Sequence, residues 1–133
     1  LVHGIGGDAQ RAGRDPVEAL GEFQRYAGGS PAVAFHAAFD RTLLRRAMPG
    51  WRPRWLDLAQ LAPALFPGQA KSCKSLDDWL AAFAISHPER HDALADAYAT
   101  AQLLLVALAE AERQGIATAR DLESAERSRR WLG

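Results

Sequence analysis

In this chain of 133 residues the groups best suited to chemistry near neutral pH are four histidines and a scatter of aspartates. His91 and Asp96 stand five residues apart, a spacing that separates them around the axis of one continuous helix. Pro88 biases the residue before it away from helix. If His91 lies in the loop after Pro88 and Asp92 caps the next helix, Asp96 falls in its first turn and both side chains can face one cleft. The plainer reading makes Asp92 and Asp96 complements to the helix dipole and His91 a surface residue. Asp40 follows a short apolar run by four residues, near the start of the next helix. Open α/β sheets bind ligands at the carboxyl ends of their strands, and the helix dipole alone also favours an acid there. His36 and Asp57 hold comparable strand-end positions.

Other combinations are poorer in chemistry. His87 and His91 are four apart, but Pro88 stands between them without the glutamate of H-E-x-x-H, which argues against a zinc-protease site. Gly4-Ile5-Gly6-Gly7 lacks the preceding strand and following lysine of a phosphate loop and reads as a turn. The five arginines from Arg41 to Arg54, with no acid among them, either track a phosphate backbone or form the solvated face of a helix. The tryptophans at 51, 55, 79 and 131 are widely spaced and read as core or boundary residues.

These residues need elements to position them. Residues 1–13 are glycine-rich and read as a loop. Asp15, Pro16 and Glu18 open a helix as cap, first turn and capping-box partner, and Gly28-Gly29 stops it. Residues 31–36 and 54–58 read as short buried strands. The stretch 38–48 between them is an amphipathic helix with Phe39, Leu43, Leu44 and Ala47 on its apolar side. A short helix over 59–66 follows the second strand and ends at Pro67-Gly68. Ser75 and Asp78 open another helix with a capping box, running to about Ile85. A long alanine- and leucine-rich helix spans 93–114 and stops at Gly115, and a more polar one covers 118–131. Helices interleaved with strands point to the α/β class in a single domain over residues 1–133.

Composition narrows the function classes. Hydrophobic residues make up 48% and charged residues 24%, a globular rather than disordered composition. Sixteen basic residues balance sixteen acidic ones, so bulk attraction to nucleic acid or membrane is not implied. The longest unbroken apolar run, residues 103–109, is short of the ~20 residues of a membrane span. The single cysteine, Cys73, excludes an internal disulfide framework and a cysteine-built zinc site, and it fits a reducing, cytoplasmic setting.

Taken in order, the pieces resemble the DEDDh 3'–5' exonucleases, the family of the epsilon proofreading subunit of DNA polymerase III and of ribonuclease T. Ala32-Val-Ala-Phe-His-Ala-Ala-Phe-Asp40-Arg-Thr-Leu-Leu44 resembles the second motif. Arg54-Trp-Leu-Asp57 through Pro67 resembles the strand and helix that follow it. Ser75-Leu-Asp-Asp-Trp-Leu80, then Arg90-His91-Asp-Ala-Leu-Ala-Asp96-Ala97, resembles the third motif, H-x4-D before a long helix. Residues 2–5 resemble the stretch before the first helix of the family's middle region. Two departures stand out. The family's D-x-E motif on the first strand is absent ahead of these motifs, and Phe35-His36 stands where the family has His-Asn.

The resemblance implies a ribonuclease H-like α/β fold lacking its first three strands, mostly helical with two parallel strands. It implies two-metal phosphodiester hydrolysis with Mg2+ or Mn2+. Asp40 and Asp96 would then be metal ligands, His91 the base acting on the attacking water, and Arg41, Arg45 and Arg90 contacts to nucleic acid. With two of four carboxylates present, the chain alone is expected to be inactive. The implied substrate is a single-stranded DNA or RNA 3' end, and the implied role proofreading or repair beside a polymerase subunit. The alternative from a different class is a non-catalytic nucleic-acid-binding or interaction remnant of the same fold. An exposed strand edge further predicts self-association.

Overall fold

The computed structural model describes residue 7, residues 11–87 and residues 92–132. Arg90, His91 and the stretch 2–5 lie outside the described residues. Helix α1 spans Pro16–Ala27, with its proline in the first turn. Gly28 ends it at φ 52° and ψ −129°, a left-handed backbone that favours glycine. The expected Asp15–Glu18 capping box does not form, for Asp15 makes no side-chain capping bond. Arg14 instead grips Glu22 with two hydrogen bonds of 2.7 and 2.8 Å and approaches Glu18 at 3.5 Å.

The two strands are shorter than the sequence predicts: β1 is Ala32–Ala34 and β2 is Trp55–Asp57. They pair in parallel, with Ala32 opposite Trp55, Val33 opposite Leu56 and Ala34 opposite Asp57. Both ends are cut by turns into helices. His36 takes a left-handed backbone at φ 62° directly before α2, Ala37–Ala47. Such a backbone is costly for a residue with a Cβ, and it is pinned by the His36 N–H donating to Asp57 Oδ1 at 2.9 Å. Leu58, expected in the strand, already begins α3, Leu58–Leu65. Asp57 caps that helix by accepting from the Ala59 N–H at 3.0 Å. One buried aspartate thus closes both strand-to-helix turns.

Helix α4, Leu76–Ala82, opens on the expected capping box, in which the side chains of Ser75 and Asp78 bond each other's backbone N–H. It stops short of Ile85, with Ala84 at φ 52°. Helix α5, Ala93–Arg113, is capped by Asp92, which accepts from the Ala95 N–H at 2.9 Å. Helix α6, Ala119–Leu132, packs chiefly on α3. Its buried Glu126 accepts from the Asp57 N–H at 3.2 Å, and Glu123 pairs with Arg54 at 2.7 Å. These bonds fasten the last helix to β2.

The core joins Leu56 of β2, Leu58, Leu61 and Leu65 of α3, Leu76, Trp79 and Leu80 of α4, and Leu122 of α6. Helix α5 adds Ala99, Leu103, Ala107 and Ala111, four residues on a four-residue repeat that face α3 and α4. By length and composition this helix is apolar enough to cross a membrane, and only a minor part of its apolar stretch is buried in the fold. Two expectations fail at the periphery. The apolar side of α2 is uncovered, with Phe39 73% and Leu43 55% exposed. Trp131, read as core or boundary, is 89% exposed, whereas Trp51 and Trp79 are buried. Both departures arise because a helical stripe needs a second layer to cover it, and none of the described elements reaches that side.

Candidate active site

Helix α2 carries Asp40 in its first turn, and α5 carries Asp96 in its own. Both residues line one cleft. That cleft has a volume of about 660 Å³ and is lined also by Val33, Phe35 and His36 of the β1 end and by Ser75 and Thr100. Burial pushes the Asp40 carboxyl above its ordinary range, and the negative charge of Asp57 adds in the same direction, against a backbone hydrogen bond that lowers it. Asp57 itself is not a free acid of the cleft. Its carboxylate is spent on the His36 and Ala59 N–H groups.

Asp96 has a partner that sequence reasoning passed over. His87 Nε2 lies 2.8 Å from Asp96 Oδ1, and the His87 side chain is only 7% exposed. With the carboxylate accepting, Nε2 carries the proton, and the imidazole is held in one orientation. The spacing of nine residues belongs to no helix or strand period. Its one sequence signal is Pro88, since a proline biases the residue before it away from helix. Thr100 donates its hydroxyl to the Asp96 carbonyl at 2.7 Å, one turn further along.

The other sequence-predicted residues are spread around this cleft. Arg41 is half-buried and Arg45 exposed, both on α2, and Arg41 follows Asp40 directly. His36 lines the cleft, but its backbone rather than its ring makes the recorded bond to Asp57. His91 and Arg90 lie outside the described residues.

A comparison with known families decides what this arrangement belongs to. The sequence model of a family described as "Exonuclease" (RNase T) matches residues 1–104, more than half of the chain. The chain belongs to the exonuclease family. No curated protein and no solved structure matches it. Membership makes this exonuclease domain a nuclease-type hydrolase and nucleic acid the class of its substrate.

Exonucleases typically use divalent metals, so the donors of the cleft can be tested against one. Asp40 and Asp96 supply hard carboxylate oxygens, the ligand type that Mg2+ and Mn2+ take. Among the described residues, however, no three His, Cys, Asp or Glu side chains gather as a metal site. One oxygen of Asp96 is also engaged by His87. The described donors of this exonuclease domain therefore do not fit a two-metal centre by themselves. The D-x-E tripeptide at Asp121-Leu122-Glu123 does not complete it. It lies on α6, where Asp121 bonds Thr118 and Glu123 pairs with Arg54. What the described residues do is narrower. They present one carboxylate made more basic by burial, a second one oriented by a histidine, and a half-apolar wall at the β1 end.

Proposed function

We propose that this exonuclease-family domain serves the 3'–5' hydrolysis of single-stranded nucleic acid ends, DNA in the first place, as in proofreading or repair. The observation that supports the reading most is that Asp40 and Asp96 line a single cleft within a chain matched by the exonuclease family. The two acids belong to the two motifs whose order and separation carried the resemblance. In this reading Asp40 and Asp96 are metal ligands, His91 is the base, and Arg41, Arg45 and Arg90 hold the strand. His87 is a positioning residue that orients Asp96. With two carboxylates, the 133 residues alone bind a strand end without cutting it, because phosphodiester hydrolysis needs both water activation and stabilisation of the leaving oxygen.

The test follows binding and cleavage together. Single-stranded DNA labelled at its 5' end is titrated with the purified chain, with and without Mn2+, and the products are separated by length. Binding that strengthens with Mn2+, favours a free 3' hydroxyl and loses its metal response in Asp40→Asn and Asp96→Asn is the expected result, without shortening. Binding indifferent to the metal and to both substitutions would make the domain a non-catalytic nucleic-acid-binding module. Shortening that disappears in His91→Ala would show that further ligands complete the site.

A further inference from the structure

Two further hollows adjoin the Asp40–Asp96 cleft. His36, exposed at the end of β1, lines the cleft and also a second hollow of about 440 Å³, whose wall includes Gln60, Lys74 and Arg129. Ser75 of the cleft and Lys74 of the second hollow are chain neighbours, so the two hollows also meet along this segment. Pro63, Ala70, Lys74 and Arg129 in turn line both the second hollow and a third, of about 580 Å³. The third adds Lys71 and an apolar surface from Leu65, Pro67 and Ile116. The charge along this path has one sign. Lys71 closes a short 3-10 turn, Gln69–Lys71, Lys74 follows three residues on, and Arg129 comes from α6. Among the described residues no aspartate or glutamate lines the second or third hollow, and none pairs with these three cations. Lys74 Nζ donates to a neutral partner, the Ala70 carbonyl, at 2.9 Å. The Asp78 carboxylate is occupied by the backbone N–H groups of Lys74 and Ser75. In a chain with equal numbers of acids and bases, this stretch is a local excess of positive charge.

We propose that a strand whose 3' end lies in the Asp40–Asp96 cleft continues in the 5' direction past His36 and along these two hollows, its phosphates held by Lys74, Arg129 and Lys71. The inference rests on the nuclease reading for which end of the strand occupies the cleft. A single strand presents charged phosphates on one side and apolar base faces on the other. Grooves that bind it combine cations tracking the backbone with surface that receives the bases. Here Lys71, Lys74 and Arg129 are the cations, and Pro63, Pro67 and Ile116 give the apolar surface. A metabolite-sized anion would fill one hollow, whereas hollows joined in succession suit an extended polymer. Neither Arg41 nor Arg45 lines them, so these contacts add to those of α2. An acidic peptide carries the same sign of charge, but the join to the cleft at His36 and Ser75 favours a chain that begins in the cleft.

Strand length separates the path from the cleft. Binding of two fluorescein-labelled probes, a thymidine dinucleotide and an oligothymidylate of about 12 nucleotides, is followed by anisotropy with Mn2+ across a range of salt concentrations. The long probe is expected to bind more tightly and with the steeper log–log salt slope. Lys71→Ala combined with Lys74→Ala, both at exposed positions, should weaken the long probe about tenfold and leave the dinucleotide unchanged. The same pair should lower the magnitude of the long probe's slope by about 1.4, two phosphate contacts on a single strand. Arginine at both positions should restore the slope. An unchanged slope and affinity for the long probe in the double alanine variant overturns the path, as does an equal loss for both probes. Oligoglutamate of the same charge is the control. If it displaces the long probe at equal concentration, the hollows belong to an acidic protein partner and the strand path is refuted. Should the lysine variant weaken the long probe while Asp40→Asn and Asp96→Asn leave the metal response of binding intact, the path stands and the nuclease reading falls. The reverse pattern keeps the nuclease reading and removes the path.

Discussion

Asp57 shows how much one side chain can hold at the residue scale. It is 7% exposed, and its carboxylate accepts from His36 N–H across the sheet and from Ala59 N–H in the following helix. Asp57→Ala leaves both donors without a partner, one of them on a left-handed residue. The expected loss is about 2–3 kcal/mol in urea unfolding, the sum of a lost cap and an orphaned buried donor. A loss below about 0.5 kcal/mol, the range of ordinary surface substitutions, would show that these turns hold themselves. A second residue-scale outcome concerns Glu110. Hydrogen bonds first from Arg113 and then from Gln114 pull its carboxyl down from 4.5 to about 2. A depressed folded pKa means the ionised form favours folding. The contribution is present above the unfolded value and fades as pH falls from about 4.5 towards about 2. Carboxyl carbon shifts followed by NMR should show the low midpoint, and Arg113→Ala should move it back up.

At the scale of elements, α5 tests which face matters. Leu103 is fully buried against α3 and α4, whereas Leu105, two residues on, is 67% exposed. Leu103→Ala is expected to cost about 3 kcal/mol by lost transfer energy and cavity formation. Leu105→Ala should change stability by less than about 0.5 kcal/mol, as exposed positions do. Similar costs for both would mean that the outer face of α5 is covered in solution. The end of this helix is tied down separately. Gln114 donates to the Leu65 carbonyl at 2.9 Å and to Glu110 at 2.7 Å, which locks the last turn of α5 to the end of α3.

For the whole molecule, the open surfaces set the expected behaviour. Among the described residues β1 pairs with β2 alone, which leaves one row of its backbone groups facing outward. Phe39 and Leu43 of α2 and Tyr98 and Leu105 of α5 are exposed apolar side chains, and α1 buries no residue. Unpaired edges with apolar surroundings are templates for another chain, and a two-stranded sheet is marginal alone. The purified chain is therefore expected to self-associate in light scattering, and Val33→Lys on β1 to reduce the apparent mass. A concentration-independent monomer of 14.5 kDa with one cooperative unfolding step would refute this.

The sequence alone determined the local structure where the signal is local. Pro16, the Ser75–Asp78 box, the Asp92 cap and Gly115 act within four residues of their own position, so they mark helix ends whatever surrounds them. The family was legible for a related reason, since motif order and spacing are properties of the chain. Other features were decided only by tertiary structure. Glu18 had a suitable partner in Asp15, yet Arg14 captured the glutamates of that turn. Phe39 and Leu43 formed an apolar stripe, but a stripe becomes core only where a second layer meets it. His87 reaches Asp96 across nine residues and a proline, and Glu126 reaches Asp57 across sixty-nine. Those bonds follow from the path of the chain in space. Periodicity reports which face a residue takes within its own element, whereas the partner of that face is set by how the elements pack.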